Sequence, residues 1–202
     1  MEIILAENHG FCYGVKRAVE MANEAANNDG KSYTLGPIIH NPQVVGRLED
    51  KGVSPVQEVS DIAEGTMIIR SHGVGPAIYE EAEEKGLHVV DATCPHVKKA
   101  QQDAKSVIDE GMTLVILGEK NHPEVKSINL WANNEGIIIE DEESAQKLQV
   151  VEKMGVVVQT TFSQFKFNSI IDILEKKSKN LKVFKTICNA CLLYTSPSPR
   201  DR

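Results

Sequence analysis

Three cysteines occupy one repeated setting in this 202-residue chain. Cys12 follows the apolar run Ile3-Ile4-Leu5-Ala6, Cys94 ends His88-Val89-Val90-Asp91-Ala92-Thr93, and Cys188 ends Val183-Phe184-Lys185-Thr186-Ile187. Each stands where a strand runs out and a helix begins or can begin. Cys12 and Cys94 are 82 residues apart, and Cys94 and Cys188 are 94 apart. Those intervals are too long for a local metal knuckle and similar enough to assign one thiol to each structural lobe. A thiol at a helix N-terminus meets the positive end of the helix dipole and tends toward thiolate, the form that ligates metals. Three convergent thiolates without a fourth fit an iron–sulfur cluster with one iron left open for substrate. The competing reading is three buried, inert cysteines, because free Cys is among the most buried residue types.

Three histidines hold matching positions. His40 lies between Ile39 and Asn41-Pro42, His72 precedes Gly73-Val74-Gly75-Pro76, and His122 precedes Pro123-Glu124. All three are expected on loops at the carboxyl ends of parallel strands, where open α/β sheets bind ligands. Imidazole N–H donors beside glycine-rich turns and helix N-termini can grip phosphate oxygens. His9, His88 and His96 lack this placement and read as structural or surface residues. Glu124 is the candidate general acid, since a carboxyl desolvated beside a closed metal site shifts toward its neutral, proton-donating form. Gln159-Thr160-Thr161 ends another apolar run and offers hydroxyls at the same sheet edge.

The elements needed to position these groups alternate along the chain. Strands are expected at Glu2–Glu7, Ser32–Pro37, Met67–Ser71, His88–Thr93, Thr113–Gly118, Gly136–Glu140, Gly155–Thr160 and Leu181–Thr186. Helices are expected at Tyr13–Asn27, Gln43–Lys51, Ala77–Lys85, Pro95–Glu110, Pro123–Trp131, Glu143–Leu148 and Gln164–Lys179. Pro95 suits a first helical position, and Gly52, Gly86 and Gly111 read as C-terminal stops. Strand–helix alternation implies parallel sheets covered by helices, and the unbroken run Thr113-Leu114-Val115-Ile116-Leu117 fits a strand buried on both faces. The cysteine spacing divides the chain into a first α/β lobe over 1–94 and a second over 95–187. Residues 188–202 then read as the start of a further lobe followed by a non-native tail. The run Ser196-Pro197-Ser198-Pro199 forbids a buried helix or central strand and resembles translated sequencing-adaptor sequence joined to a truncated reading frame.

Composition narrows the function. A formal net charge of −7 argues against a general nucleic-acid or anionic-membrane partner, so an anionic substrate needs a local pocket. No segment reads as a membrane span or export signal, and four cysteines without one point to a reducing, cytoplasmic setting. No Walker A or dinucleotide glycine motif is present. His122-Pro123-Glu124 with Cys188-Asn189-Ala190-Cys191 loosely imitates the elements of a zinc hydrolase or deaminase, with no proline before Cys188. A non-catalytic α/β ligand-binding module is a third reading.

The ordered set Gly10-Phe11-Cys12-Tyr13-Gly14-Val15, Ile39-His40-Asn41, Ser71-His72-Gly73-Val74, Asp91-Ala92-Thr93-Cys94-Pro95, His122-Pro123-Glu124-Val125, Gln159-Thr160-Thr161 and Thr186-Ile187-Cys188 resembles the 4-hydroxy-3-methylbut-2-enyl diphosphate reductases across roughly residues 1–190. The resemblance implies a pseudo-threefold trefoil of α/β lobes, of which the first two are present. It implies a [4Fe–4S] cluster held by Cys12, Cys94 and Cys188. The implied reaction is reductive dehydroxylation of an allylic alcohol diphosphate to isopentenyl and dimethylallyl diphosphates in non-mevalonate isoprenoid biosynthesis. His40, His72 and His122 would contact the diphosphate, Thr160 would orient the substrate, and Glu124 would supply protons. A ferredoxin or flavodoxin-type partner would supply electrons. Lacking the third lobe, the chain is expected to be a fragment with weak or no activity alone.

Overall fold

The computed structural model describes residue 4, residues 10–27 and residues 30–190. The expected strand Glu2–Glu7, His9 and the tail from Cys191 onward lie outside them. The architecture is α/β, with two four-stranded, wholly parallel sheets.

Helix α1 (Tyr13–Ala26) buries Gly14, Ala18, Ala22 and Ala25 along one face. This small-residue stripe brings the helix close to the first sheet, against Ile38, Ile39, Ile68 and Ala92. That sheet comprises β1 (Ser32–Leu35), β2 (Val53–Val56), β3 (Thr66–Ile69) and β4 (His88–Asp91), in the order β2-β1-β3-β4. Helices α2 (Pro42–Glu49) and α3 (Pro76–Glu84) complete the crossovers. Both open with proline, and the Asn41 side chain caps α2 by accepting the Val44 N–H.

Helix α4 (Pro95–Asp109) leads into the second sheet of β5 (Thr113–Leu117), β6 (Ile137–Ile139), β7 (Val151–Val158) and β8 (Ser178–Phe184), ordered β6-β5-β7-β8. Helices α5 (Pro123–Trp131), α6 (Glu142–Lys147) and α7 (Gln164–Leu174) join its strands. Leu114 and Ile116 of β5 pack with Ala100, Ala104 and Val107 of α4, while Val115 and Leu117 pack with Phe167, Ile170 and Leu174 of α7. Burial on both faces explains the continuous apolar run of β5. The two sheets meet through α5. Ser127 Oγ and Trp131 Nε1 both donate to the Val74 carbonyl, at 3.2 and 2.8 Å.

Two expectations need correction. Val53–Val56 is a strand that the sequence reading passed over, because Pro55 cannot donate to a ladder. As β2 lies at the sheet edge, a proline there is tolerated. The last helix stops at Leu174 instead of Lys179; a 3₁₀ turn over Glu175–Lys177 follows, and β8 starts at Ser178. Pairing of Ser178 with Val151 and of Asn180 with Lys153 in β7 draws these polar residues into the sheet despite the helical preference of Lys179 between them.

Candidate functional site

The loops at the carboxyl ends of the strands surround a cavity of about 710 Å3. Its lining includes Cys12, His40, His72, Cys94, His122, Glu124 and Thr160, contributed by both sheets' loops.

The three histidines converge. Their ring centroids are separated by 4.6 Å for His40 and His72, 5.4 Å for His72 and His122, and 6.1 Å for His40 and His122. One nitrogen from each lies within 4.8 Å of the others. Each position has a local cause. His40 is held by the turn before α2, His72 by the bend after β3, and His122 is the N-cap of α5. Gly73 secures the bend, since its φ of +72° suits glycine and a Cβ there would lie 2.5 Å from Gln101 Nε2.

Such a triad can grip a cation or an anion, and His122 decides between them. Its Nδ1 accepts the Glu124 N–H at 3.2 Å, which leaves the proton of the neutral ring on Nε2. A ring protonated on Nε2 offers an N–H donor there and no metal-ligating lone pair. His72 has a buried Nδ1 that lacks a hydrogen-bond partner. Burial, the neighbouring His40 and His122, and Arg70 hold its pKa down at about 3. Burial likewise lowers that of His122, with His40 and Arg70 assisting and Glu119 opposing. Both rings are therefore neutral donors at physiological pH, suited to anion oxygens.

Glu124 occupies the first turn of α5 and is 1% exposed. Thr160 donates its backbone N–H to Oε1 at 2.6 Å and its hydroxyl to Oε2 at 2.8 Å. Burial raises the carboxyl pKa to about 7 against the opposing pull of those two bonds. The acid can hold a proton near neutrality and release it into the cavity.

The thiols divide by exposure. Cys12 and Cys94 are the N-caps of α1 and α4, both half-buried, and Cys188 is buried four residues past β8. Cys94 lies against the first turn of α1, because a Cβ on Gly14 would come 2.6 Å from its Sγ. The Cys188 N–H donates to the Thr160 carbonyl at 2.9 Å, tying that segment to the acid's partner. The thiolate tendency expected of a helix N-terminus is not met at Cys94. Burial raises its pKa, the His96 and Val97 N–H groups oppose this, and Cys188 and Cys12 add to the rise. Cys12 and Cys188 thus both act electrostatically on Cys94. The three sulfurs do not form a set tight enough for a single ion, which among the described residues is only the histidine triad.

The sequence reading missed Asn41, Ser71 and Glu119, which also line the cavity. Glu119 lies on the same loop as His122, directly after Gly118, and that placement was the available signal. The deaminase-like reading pairs His122 with Cys191, which is outside the described residues. His122 sits instead with His40 and His72.

Fold and site define a parallel α/β protein with a thiol-bearing, histidine-lined pocket and a buried acid. The chain belongs to the LytB protein family, whose model matches residues 3–193. It is 47% identical over 190 residues to the 4-hydroxy-3-methylbut-2-enyl diphosphate reductase of Geotalea uraniireducens (strain Rf4), covering 94% of this chain and 67% of that protein. The reductase of Caldanaerobacter subterraneus subsp. tengcongensis is 46% identical over 195 residues, with 94% and 68% covered. A solved structure of (E)-4-hydroxy-3-methyl-but-2-enyl diphosphate reductase, described as the terminal enzyme of the non-mevalonate pathway, superposes with a TM-score of 0.84 at 45% identity, over 93% of this chain and 68% of that one. The Plasmodium falciparum E-1-hydroxy-2-methyl-but-2-enyl-4-diphosphate reductase gives 0.86 at 30% identity, over 92% and 60%. The chain thus spans about two thirds of the length of the bacterial relatives.

Proposed function

We propose that this chain carries the reductase chemistry of its relatives, the reductive dehydroxylation of 4-hydroxy-3-methylbut-2-enyl diphosphate to isopentenyl and dimethylallyl diphosphates. The observation that carries this reading is the meeting of three histidines, two thiols and a buried acid of pKa about 7 around one cavity. His40, His72 and His122 bind the diphosphate, with N–H donors at His72 and His122. Thr160, fixed by its bonds to Glu124, orients the substrate's hydroxyl end. Glu124 holds the proton that lets the hydroxyl depart as water, and its burial keeps that proton bound up to about neutral pH.

The donor set suits an iron–sulfur group. Thiolates are soft ligands of the kind that hold iron–sulfur groups, and Cys12 and Cys94 share the cavity wall while Cys188 acts on Cys94. Cys12, Cys94 and Cys188 would hold a [4Fe–4S] cluster, which supplies electrons and a Lewis-acid site for the substrate oxygen when bound. A ferredoxin or flavodoxin-type protein is the proposed electron donor, and a reducing cytoplasm the proposed setting. No helix among the described residues is long and apolar enough to cross a membrane. The proposed lobe boundaries fall at Cys94 and Ile187.

Anaerobic reconstitution tests the reading. The expected product is a brown chain holding about four irons and four acid-labile sulfides, whose electron paramagnetic resonance spectrum after reduction changes when the allylic diphosphate is added. With dithionite as reductant, both isomeric diphosphates are expected as products. Binding of one zinc without sulfide, and no spectral response to substrate, would sink it.

A further inference from the structure

Among the described residues, the cavity that would take a diphosphate has no lysine or arginine in its lining, and it carries two acidic residues, Glu119 and Glu124. His72 and His122 are held toward the neutral form, so they offer direction but little charge. A ligand with several negative charges needs a cation somewhere in the design.

One cation stands directly behind the histidines. A second cavity, of about 330 Å3, adjoins the first across a shared wall made of segments 70–73 and 121–123. Ser71, His72 and His122 face the first cavity, while Arg70, Gly73, Asn121 and Pro123 line the second. Arg70 takes part in none of the ion pairs among the described residues, and its Nε is buried without a hydrogen-bond partner. An arginine kept for stability would normally be paired, because a charge drawn partly out of water without a partner is costly. Space is reserved for it. Gly36 has a φ of +70°, and a Cβ there would lie 2.7 Å from Arg70 Nη1. The guanidinium's charge reaches both His72 and His122, where it contributes to the lowered basicity of each.

We propose that Arg70 is the fixed cation of the anion subsite, a positioning residue that draws the diphosphate onto the histidine N–H groups from behind the wall they share. The inference rests on the diphosphate reading of the first cavity. Half-buried beside the segment that carries His72, the charge is screened less than it would be at the surface. The histidines supply geometry and Arg70 supplies attraction.

The test is titration of inorganic pyrophosphate into the anaerobically reconstituted full chain by calorimetry, with folding checked by circular dichroism. Arg70→Met is expected to bind about tenfold more weakly and with a shallower salt dependence, while Arg70→Lys stays within about threefold of the unsubstituted chain. Equal binding by the unsubstituted chain and Arg70→Met overturns the proposal and leaves the diphosphate reading standing. Failure of the unsubstituted chain to bind pyrophosphate overturns both. Should Arg70→Met not fold, the Arg70 Nε–H resonance of the unsubstituted chain serves instead. It is expected to shift as pyrophosphate saturates, and an unmoved resonance overturns the proposal.

Discussion

Thr160 grips Glu124 with two donors at once, the backbone N–H on one carboxylate oxygen and the hydroxyl on the other, at 2.6 and 2.8 Å. Both bonds favour the ionised acid, yet burial outweighs them and leaves it titrating at about 7. The site is therefore a balance in which solvent exclusion sets the sign and Thr160 trims the magnitude.

Glu124→Gln removes the proton and keeps the shape. Between the ordinary carboxyl value of 4.5 and about 7, the folded chain retains a proton that the unfolded chain has released. Stability from this group therefore falls as pH rises through that window, by on the order of 3 kcal/mol. Urea unfolding at pH 5 and pH 8 is expected to show that decline in the unsubstituted chain and a flatter response in Glu124→Gln. Turnover by the variant should fall at least about a hundredfold. An unchanged pH slope in the variant would show that the carboxyl is not the titrating group.

Thr160→Val deletes one of the two bonds that favour the carboxylate. The acid should then hold its proton to higher pH than in the unsubstituted chain, seen as an upward shift in the titration of its infrared carbonyl band. The lost hydroxyl bond should cost about 1–2 kcal/mol of stability. A downward shift would contradict the arrangement described.

Gly14→Ala tests how the first two thiols are spaced. The added methyl would come 2.6 Å from Cys94 Sγ, so either the sulfur or the first turn of α1 must move. Sulfide and iron content after reconstitution are expected to drop by more than half at nearly unchanged helicity, roughly as expected when a metal ligand is displaced. Full cluster loading would show that Cys94 has freedom to retreat.

Gly155→Ala addresses the second lobe alone. Gly155 lies in β7 directly beneath Val107 of α4, and a Cβ there would collide with that side chain. Overpacking of this kind should cost about 2 kcal/mol, read as a lower urea midpoint with little change in slope.

His72 and Cys94 were legible at the cavity because each follows a short apolar run and precedes a turn or helix start, which parallel topology brings to one edge of the first sheet. Glu124 and Thr160 were legible as types, but their mutual bonding was not, since they lie 36 residues apart. Arg70 carried no signal at all. An arginine two residues before His72 reads as a surface cation until packing shows the wall that separates the two cavities. Strand β2 was hidden by its proline and the start of β8 by helix-favouring lysines. In both cases pairing with a neighbouring strand overrode the local preference.

The backbone link from Cys188 N–H to the Thr160 carbonyl gives the protein a gauge of its own assembly. Whatever loosens the segment beyond β8 slackens Thr160, and whatever slackens Thr160 resets the ionisation of Glu124. Docking of Cys188, the proposed third sulfur ligand, is thus expected to be readable at a carboxyl group, by titration alone and before any electron has been delivered.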